Sequence, residues 1–223
     1  PEGAGAADWA RMAARVPLQQ WLQPAQRHAL HENVQHVPGM VSRPVCEWII
    51  HRARSSLQPA LVYDAVSRSH ERHQMRTNSM AVFDYATLDV VQFLVQARMA
   101  ATCGYRIQHF ELPAVLHYAP GQQITPHFDF IDVHAVDYEQ QVRDYGQRMV
   151  TFLLYLNEGY EGGETTFPEL GLVHRGVPGD GLFFINAYPD LKPDRRMLPT
   201  GSPPTSGEKW VISQFILSKA LRP

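Results

Sequence analysis

Two side chains in TPHFDFID, residues 125–132, have the types and spacing of a metal-binding pair: His127 and Asp129, separated by Phe128. In an extended strand, residues i and i+2 leave the same face. An imidazole and a carboxylate so spaced converge, and the aromatic between them turns away. They are two of the three ligands of the facial triad that holds non-haem Fe(II). The tripeptide alone is a weak signal, because 11 histidines and 22 acidic residues make the spacing easy to meet by accident. His109 and Glu111 repeat it in HFELP, where an ordinary strand start with exposed polar groups accounts for them. HENVQH, residues 31–36, resembles a zincin motif, but its histidines lie five apart and do not share a helix face. Cys46 and Cys103 are single and distant, and read as small buried hydrophobes rather than ligands or nucleophiles.

A second chemical group lies near the end of the chain. In KWVISQF the two-residue period puts Lys209, Val211, Ser213 and Phe215 on one strand face. An inward lysine beside apolar neighbours is costly unless it meets an anion. Two readings stand: a lysine facing a ligand carboxylate, or an edge-strand lysine in water.

The elements that must hold these groups change character along the chain. The first 70 or so residues read as helical, with alanine-rich stretches broken by Pro17 and Pro24. Residues 1–40 are expected to form a helical segment, the end of a helical module lying upstream. VCEWIIHRARSSL follows Ser42 and Pro44, a helix start, with Val45, Trp48 and Ile49 as its apolar face. A further helix is predicted from Thr87 as N-cap to Gly104 as C′ residue, burying Val90, Phe93, Leu94, Ala97 and Ala101. Beyond Gly104, LPAVLHYAPG, ITPHFDF, RMVTFLLYLN, GETTF, GLFFINA and KWVISQFIL are short, rich in Val, Ile, Phe and Tyr, and punctuated by Gly, Pro, Asn and Asp. That is the pattern of an antiparallel two-sheet fold such as a jelly roll. The fold class is therefore α+β, mainly β, with packing helices in the N-terminal third and a main domain over 41–223. The polar stretch 131–147 is too long for a hairpin and suits a lid.

Composition narrows the function. Twenty basic against 22 acidic residues give a net charge of −2, which argues against a nucleic-acid partner. No run approaches the roughly 20 apolar residues of a membrane span, and no signal-peptide pattern opens the chain. Two cysteines make no disulfide framework, so a reducing, cytoplasmic location is expected.

Several motifs then occur in order: RTNS at 76–79, Y-x-x-G-Q-x-x-x-x-H-x-D from Tyr118 to Asp129, GGETTFP at 162–168, GDGLFF at 179–184 and G-x-KW at 207–210. The set resembles the prolyl 4-hydroxylase-like Fe(II)/2-oxoglutarate-dependent dioxygenases, over about residues 76–217. The resemblance implies a double-stranded β-helix, a jelly-roll variant. It implies Fe(II) held by His127 and Asp129, with 2-oxoglutarate as co-substrate and ascorbate as reductant. Lys209 would pair with the distal carboxylate of 2-oxoglutarate, with the hydroxyls of Tyr118 and Thr165 on the same carboxylate. Arg148 either matches a catalytic position near the substrate or is a surface arginine, and Phe215 is either a wall of the substrate site or core. The implied reaction is hydroxylation of an unactivated C–H bond. A prolyl residue in a peptide is the default substrate; free amino acids and small molecules are equally open.

The pattern breaks at one position. The family's third iron ligand is a histidine ten residues before the lysine. In PTGSPPTSGEKW, residues 199–210, Gly201, Pro203, Gly207, Lys209 and Trp210 fit, but Pro199 stands where the histidine should be. Proline has no donor atom, and in a central strand it is expected to cost a ladder bond. Three consequences are open: a pseudoenzyme or binding module that keeps 2-oxoglutarate or target binding, iron held by His127 and Asp129 alone, or rescue by another histidine, of which His174 is nearest among the later strands. A cupin-type isomerase or storage barrel is a weaker alternative, for it needs no lysine at the barrel base.

Overall fold

Side chains that alternate between two apolar environments organise the second half of the chain. The computed structural model describes residues 18–64, 69–71, 76–132 and 138–221. Helix α1 (Leu18–Leu22) precedes a hairpin of β1 (His28–His31) and β2 (Val34–Val37). Helix α2 (Arg43–Arg54), the short strands β3 (Gln58–Pro59), β4 (Val62–Asp64), β5 (Ser69–Glu71) and β6 (Ser79–Val82), and helix α3 (Val90–Cys103) complete the first half. Then come β7 (Ala114–Tyr118), α4 (Tyr138–Tyr145), β8 (Arg148–Tyr155), β9 (Glu161–Gly162), β10 (Thr165–Phe167), β11 (Leu172–His174), β12 (Gly181–Ile185), β13 (Thr200–Gly201), β14 (Pro204–Ser206) and β15 (Lys209–Leu217).

Among the described residues, eight strands form a major sheet in the order β1-β2-β12-β8-β15-β7-β6-β3. A minor sheet has the order β11-β10-β13. Isolated antiparallel bridges continue it from Gly201 to Ile124 and from Ile124 to Arg76. The result is a mainly β double-stranded β-helix with packing helices. One face of the major sheet, with Phe152, Leu154 and Ile212, packs in a single cluster with Cys46 and Ile49 of α2 and Val95 and Met99 of α3. The other face, with Leu116, Tyr155, Phe184 and Val211, closes over Phe167 of the minor sheet and Met197. β15 lies between β7 and β8 and is buried along nearly its whole length, which is why KWVISQFIL is apolar on both faces.

The structure corrects several expectations. Residues 1–17 of the expected N-terminal helical segment lie outside the described residues, and of its described residues only 18–22 are helical. Residues 28–37 form a hairpin whose β2 pairs with β12, so the main domain extends below residue 41. HALHENVQHV carries no helical apolar stripe; Val34 and Val37 are fully buried instead by the sheet edge they cover. The N-cap of α3 is Asp89, in a reciprocal capping box with Gln92, because the Thr87 hydroxyl is already held by Asp84 at 2.7 Å. The buried face of α3 is shifted accordingly, with Val95, Met99 and Ala100 inside and Val90 and Phe93 exposed. ITPHFDF is not a strand; only Ile124 bridges a neighbour. In the stretch 131–147, α4 occupies 138–145, and 133–137 lie outside the described residues. Both cysteines are free, and burial pushes each thiol up to about 11.

The turn GVPGDG leans on the lumen. A Cβ at Gly176 would overlap the ring of Tyr155, a fully buried side chain. Gly176→Ala should therefore destabilise the fold by about 1–3 kcal/mol. The expected result is a lower urea midpoint at unchanged m-value; an unmoved midpoint would show that the ring has room to shift.

Candidate active site and metal position

The two sheets face each other across a lumen, and pairing registers state which residues line it. On the major sheet Lys209 lies opposite Tyr118, and Val211 lies opposite Tyr155. On the minor sheet Thr165 is flanked by Gly201 on one side and His174 on the other. Tyr155 Oη donates to Thr165 Oγ1 at 2.9 Å, tying the sheets together. A Cβ placed on Gly201 would lie 3.1 Å from Ile124 Cγ2 and 3.8 Å from Tyr118 Oη, which puts Gly201 beside that hydroxyl. Tyr118, Thr165 and Lys209 are all buried, and Lys209 is only 3% exposed.

Lys209 is an anomaly among these groups. Its ammonium stands 5.4 Å from the Tyr118 ring centroid and 5.7 Å from that of Tyr155. Among the described residues no carboxylate forms an ion pair with it. Burial pulls it down to about 8, opposed only by the more distant Glu164. The edge-strand reading is therefore set aside: the lysine points into the lumen and can meet an anion there. Tyr118 is pushed up to about 12 by burial and remains a neutral hydroxyl.

At the other end of the lumen, His127 and Asp129 converge without a strand to aim them. His127 Nδ1 lies 3.0 Å from the Thr125 carbonyl, which accepts its proton and fixes the ring. Nε2 then faces Asp129 Oδ1 at 3.2 Å. Two lone-pair atoms so placed need a positive species between them, a proton or a metal ion. Burial disfavours the imidazolium, yet the hydrogen bond and charge of Asp129 outweigh it and hold His127 above its ordinary value. Burial likewise opposes the Asp129 carboxylate, and hydrogen bonds from His127 and Thr151 reverse the balance and hold it below its ordinary range.

Pro199 stands beside this pair. The His127 backbone N–H donates to the Pro199 carbonyl at 3.2 Å, so position 199 is buried against the His127–Asp129 segment. The expected loss of a ladder bond is corrected. The bond uses the carbonyl of residue 199, which proline keeps, and Pro199 precedes the two-residue strand β13 rather than sitting inside a central one. The pair fits two positions of an iron site built from two histidines and one carboxylate, and Pro199 beside it carries no side-chain donor. His174 does not supply it. Thr165 lies between His174 and Gly201 in the ladder, and Pro199 is two residues further along, about 12 Å from His174 at ordinary strand spacings. His174 instead packs between His36 and Tyr155, with tilted rings at centroid distances of 5.0 and 5.5 Å. Burial, with the nearby His36, pushes it down to about 4.

The remaining predicted residues flank the Asp129 end. Arg148 makes a bidentate pair with Glu111, at 2.7 and 3.0 Å, and its guanidinium lies 3.8 Å over the Phe215 ring. A third donor reaches the Asp129 carbonyl at 3.4 Å. With most of its donors held, Arg148 frames Phe215 and Asp129 rather than offering a free catalytic cation. The rival pair His109 and Glu111 is dispersed: His109 Nδ1 bonds the Leu217 carbonyl at 2.8 Å, and Glu111 is held by Arg148. Sequence reasoning missed Thr151, Tyr155 and Asn186. The two-residue period of RMVTFLLY puts Thr151 and Tyr155 on one face, and polar atoms recurring there were the available sign.

Comparisons with known proteins agree with this geometry. Residues 113–217 match the model of the 2OG-Fe(II) oxygenase superfamily. A probable prolyl 4-hydroxylase 3 of Arabidopsis thaliana is 31% identical over 197 residues, covering 80% of this chain and 67% of the relative. A probable prolyl 4-hydroxylase 7 of the same plant is 28% identical over 200 residues, covering 82% of this chain, and this chain spans only 61% of its length. Among solved structures, the viral collagen prolyl hydroxylase of Paramecium bursaria Chlorella virus-1, in its 2OG complex, superposes with TM-score 0.64 at 25% identity, covering 83% of this chain and 96% of that one. A Pseudomonas putida prolyl-4-hydroxylase shares the fold, with TM-score 0.57 at 19% identity, over 83% of this chain and 92% of that one. Fe(II) and 2-oxoglutarate are the cofactors of this group, and the buried lysine of the lumen suits the second. The chain belongs to the 2OG-Fe(II) oxygenase superfamily, in its prolyl 4-hydroxylase type.

Proposed function

We propose that this chain binds 2-oxoglutarate and is a hydroxylase of prolyl residues in peptides whose iron binding is weakened by Pro199. The observation behind this reading is the contrast between the two ends of one lumen. Lys209, Tyr118 and Thr165 make a complete carboxylate site, whereas His127 and Asp129 lack a third protein ligand. Lys209 would neutralise the distal carboxylate of 2-oxoglutarate. Tyr118 would donate its hydroxyl proton to it. Thr165 already accepts from Tyr155, so its own proton is available to the same carboxylate. His127 and Asp129 would hold the metal, and Arg148 with Phe215 would form the wall nearest the substrate. When bound, iron with 2-oxoglutarate as the electron donor would activate dioxygen, the oxidant for C–H hydroxylation. The relatives named as prolyl 4-hydroxylases support peptidyl proline as substrate. Pro199 also favours a second reading, a non-catalytic module that retains 2-oxoglutarate or peptide binding.

Lys209 gives a pH signature. A carboxylate ligand favours the charged ammonium and raises its pKa in the complex. Below about 8 the ammonium is already charged and affinity is flat with respect to this group. Above that, binding must take up a proton, so the Kd for 2-oxoglutarate should rise by up to about tenfold per pH unit. Lys209→Met should abolish this step and weaken binding at least about 30-fold, as removal of one partner of a buried charge pair does. Calorimetric titration across this range tests it, and a Kd indifferent both to pH and to the substitution would remove Lys209 from the site.

The metal position is tested by Pro199→His. Under anaerobic conditions with 2-oxoglutarate, the histidine variant should show the visible charge-transfer band at Fe(II) concentrations at least about 100-fold below those this chain needs, since even a lost outer partner costs 10–100-fold. Turnover of 2-oxoglutarate at saturating Fe(II) separates the two readings: slow turnover by this chain marks a weakened enzyme, and none marks a binding module. Equal iron affinity of both proteins would show that Pro199 is not the cause.

A further inference from the structure

Behind Asp129 lies a buried relay of two further side chains. Thr151 Oγ1 donates to Asp129 Oδ2 at 2.9 Å. Asn186 Nδ2 donates to Thr151 Oγ1 at 2.8 Å. Exposure is 7% at Asp129, 1% at Thr151 and 0% at Asn186, so water does not compete for these bonds.

The relay has a direction. An amide nitrogen can only donate, so it occupies a lone pair of the Thr151 oxygen and leaves the single hydroxyl proton for Asp129. Asn186 is itself fixed at both ends of its backbone. Its N–H donates to the Met149 carbonyl at 2.7 Å, and its carbonyl accepts from the Asp194 N–H at 2.8 Å. Thr151 is β-branched on a central strand, where χ1 is restricted.

We infer that Thr151 and Asn186 are positioning residues: their relay pins Asp129 Oδ2, so that Oδ1 alone is turned toward His127 Nε2. A carboxylate on a single bond can otherwise rotate and offer both oxygens, or swing toward the guanidinium of Arg148. The pinned carboxylate presents one oxygen and one imidazole nitrogen to the same point, 3.2 Å apart. The inference rests on His127 and Asp129 forming a cation site, and the test separates the two.

The test uses Co(II) alone, read by its visible absorption, in the Pro199→His protein and in the unaltered chain. Thr151→Val removes the hydroxyl at nearly constant volume; Thr151→Ser keeps it. In the Pro199→His background Thr151→Val should weaken Co(II) binding about 10–100-fold and alter the absorption envelope, while Thr151→Ser stays within about threefold. Asn186→Leu, provided its far-UV spectrum is native, should fall between them. Equal affinity of Thr151→Val and its parent overturns the inference, as does an equal loss in the valine and serine variants, which would report packing instead of the hydroxyl. If the Pro199→His protein itself binds no Co(II), the cation site fails and the relay has nothing to position.

Discussion

A buried ammonium with no carboxylate paired to it among the described residues is the constraint around which this fold is arranged. Isolated charges in an apolar interior are strongly unfavourable, and proteins keep them only paired or bound to a ligand. Lys209 is placed inside by the ladder of β15, whose alternation must also put Trp210 and Ile212 against the helices. Turning the lysine out to water would require a one-residue slip that exchanges every side chain of the central strand between its two faces. The register that builds the outer core therefore enforces the charge in the inner one. An anionic ligand is what such a lumen can accept.

The minor sheet supplies what faces that charge. Its short strands bring Thr165, Gly201 and Ile124 into one row, and the same backbone carries position 199 toward His127. Gly201 and position 199 thus lie two residues apart along β13 and its approach. That proximity suits chemistry in which a co-substrate bridges from a lysine to a metal.

Much of this was legible in the residues. β7, β8, β10, β12 and β15 announce themselves through aromatic and branched side chains bounded by Gly and Pro, and His127, Asp129, Tyr118, Thr165 and Lys209 follow from motifs on or beside them. What could not be read depends on partners remote in sequence. The hairpin at 28–37 is a strand pair because β12 offers it an edge, with His36 opposite Leu182. Gln96 is buried on α3 because Gln214, on β15, accepts its amide proton at 2.7 Å, and that pairing reverses the apparent polarity of the helix face. Thr151 and Asn186 look like ordinary strand residues until the fold sets them behind Asp129. His127 and Asp129 show the converse case: their spacing suggested a strand, and the convergence is real, but a side-chain bond to the Thr125 carbonyl produces it.

The His127 N–H bond to the carbonyl of residue 199 makes the backbone there indifferent to side-chain identity. Proline satisfies it as well as histidine would, and the neighbouring two-residue strand asks nothing of the missing amide. Cellular surveillance acts on chains that unfold, and small changes in stability are what alter abundance. A side-chain change at such a position that leaves folding unaffected passes that filter unseen. For chains of this architecture, good expression and a cooperative melt therefore carry no information about whether the metal site is complete.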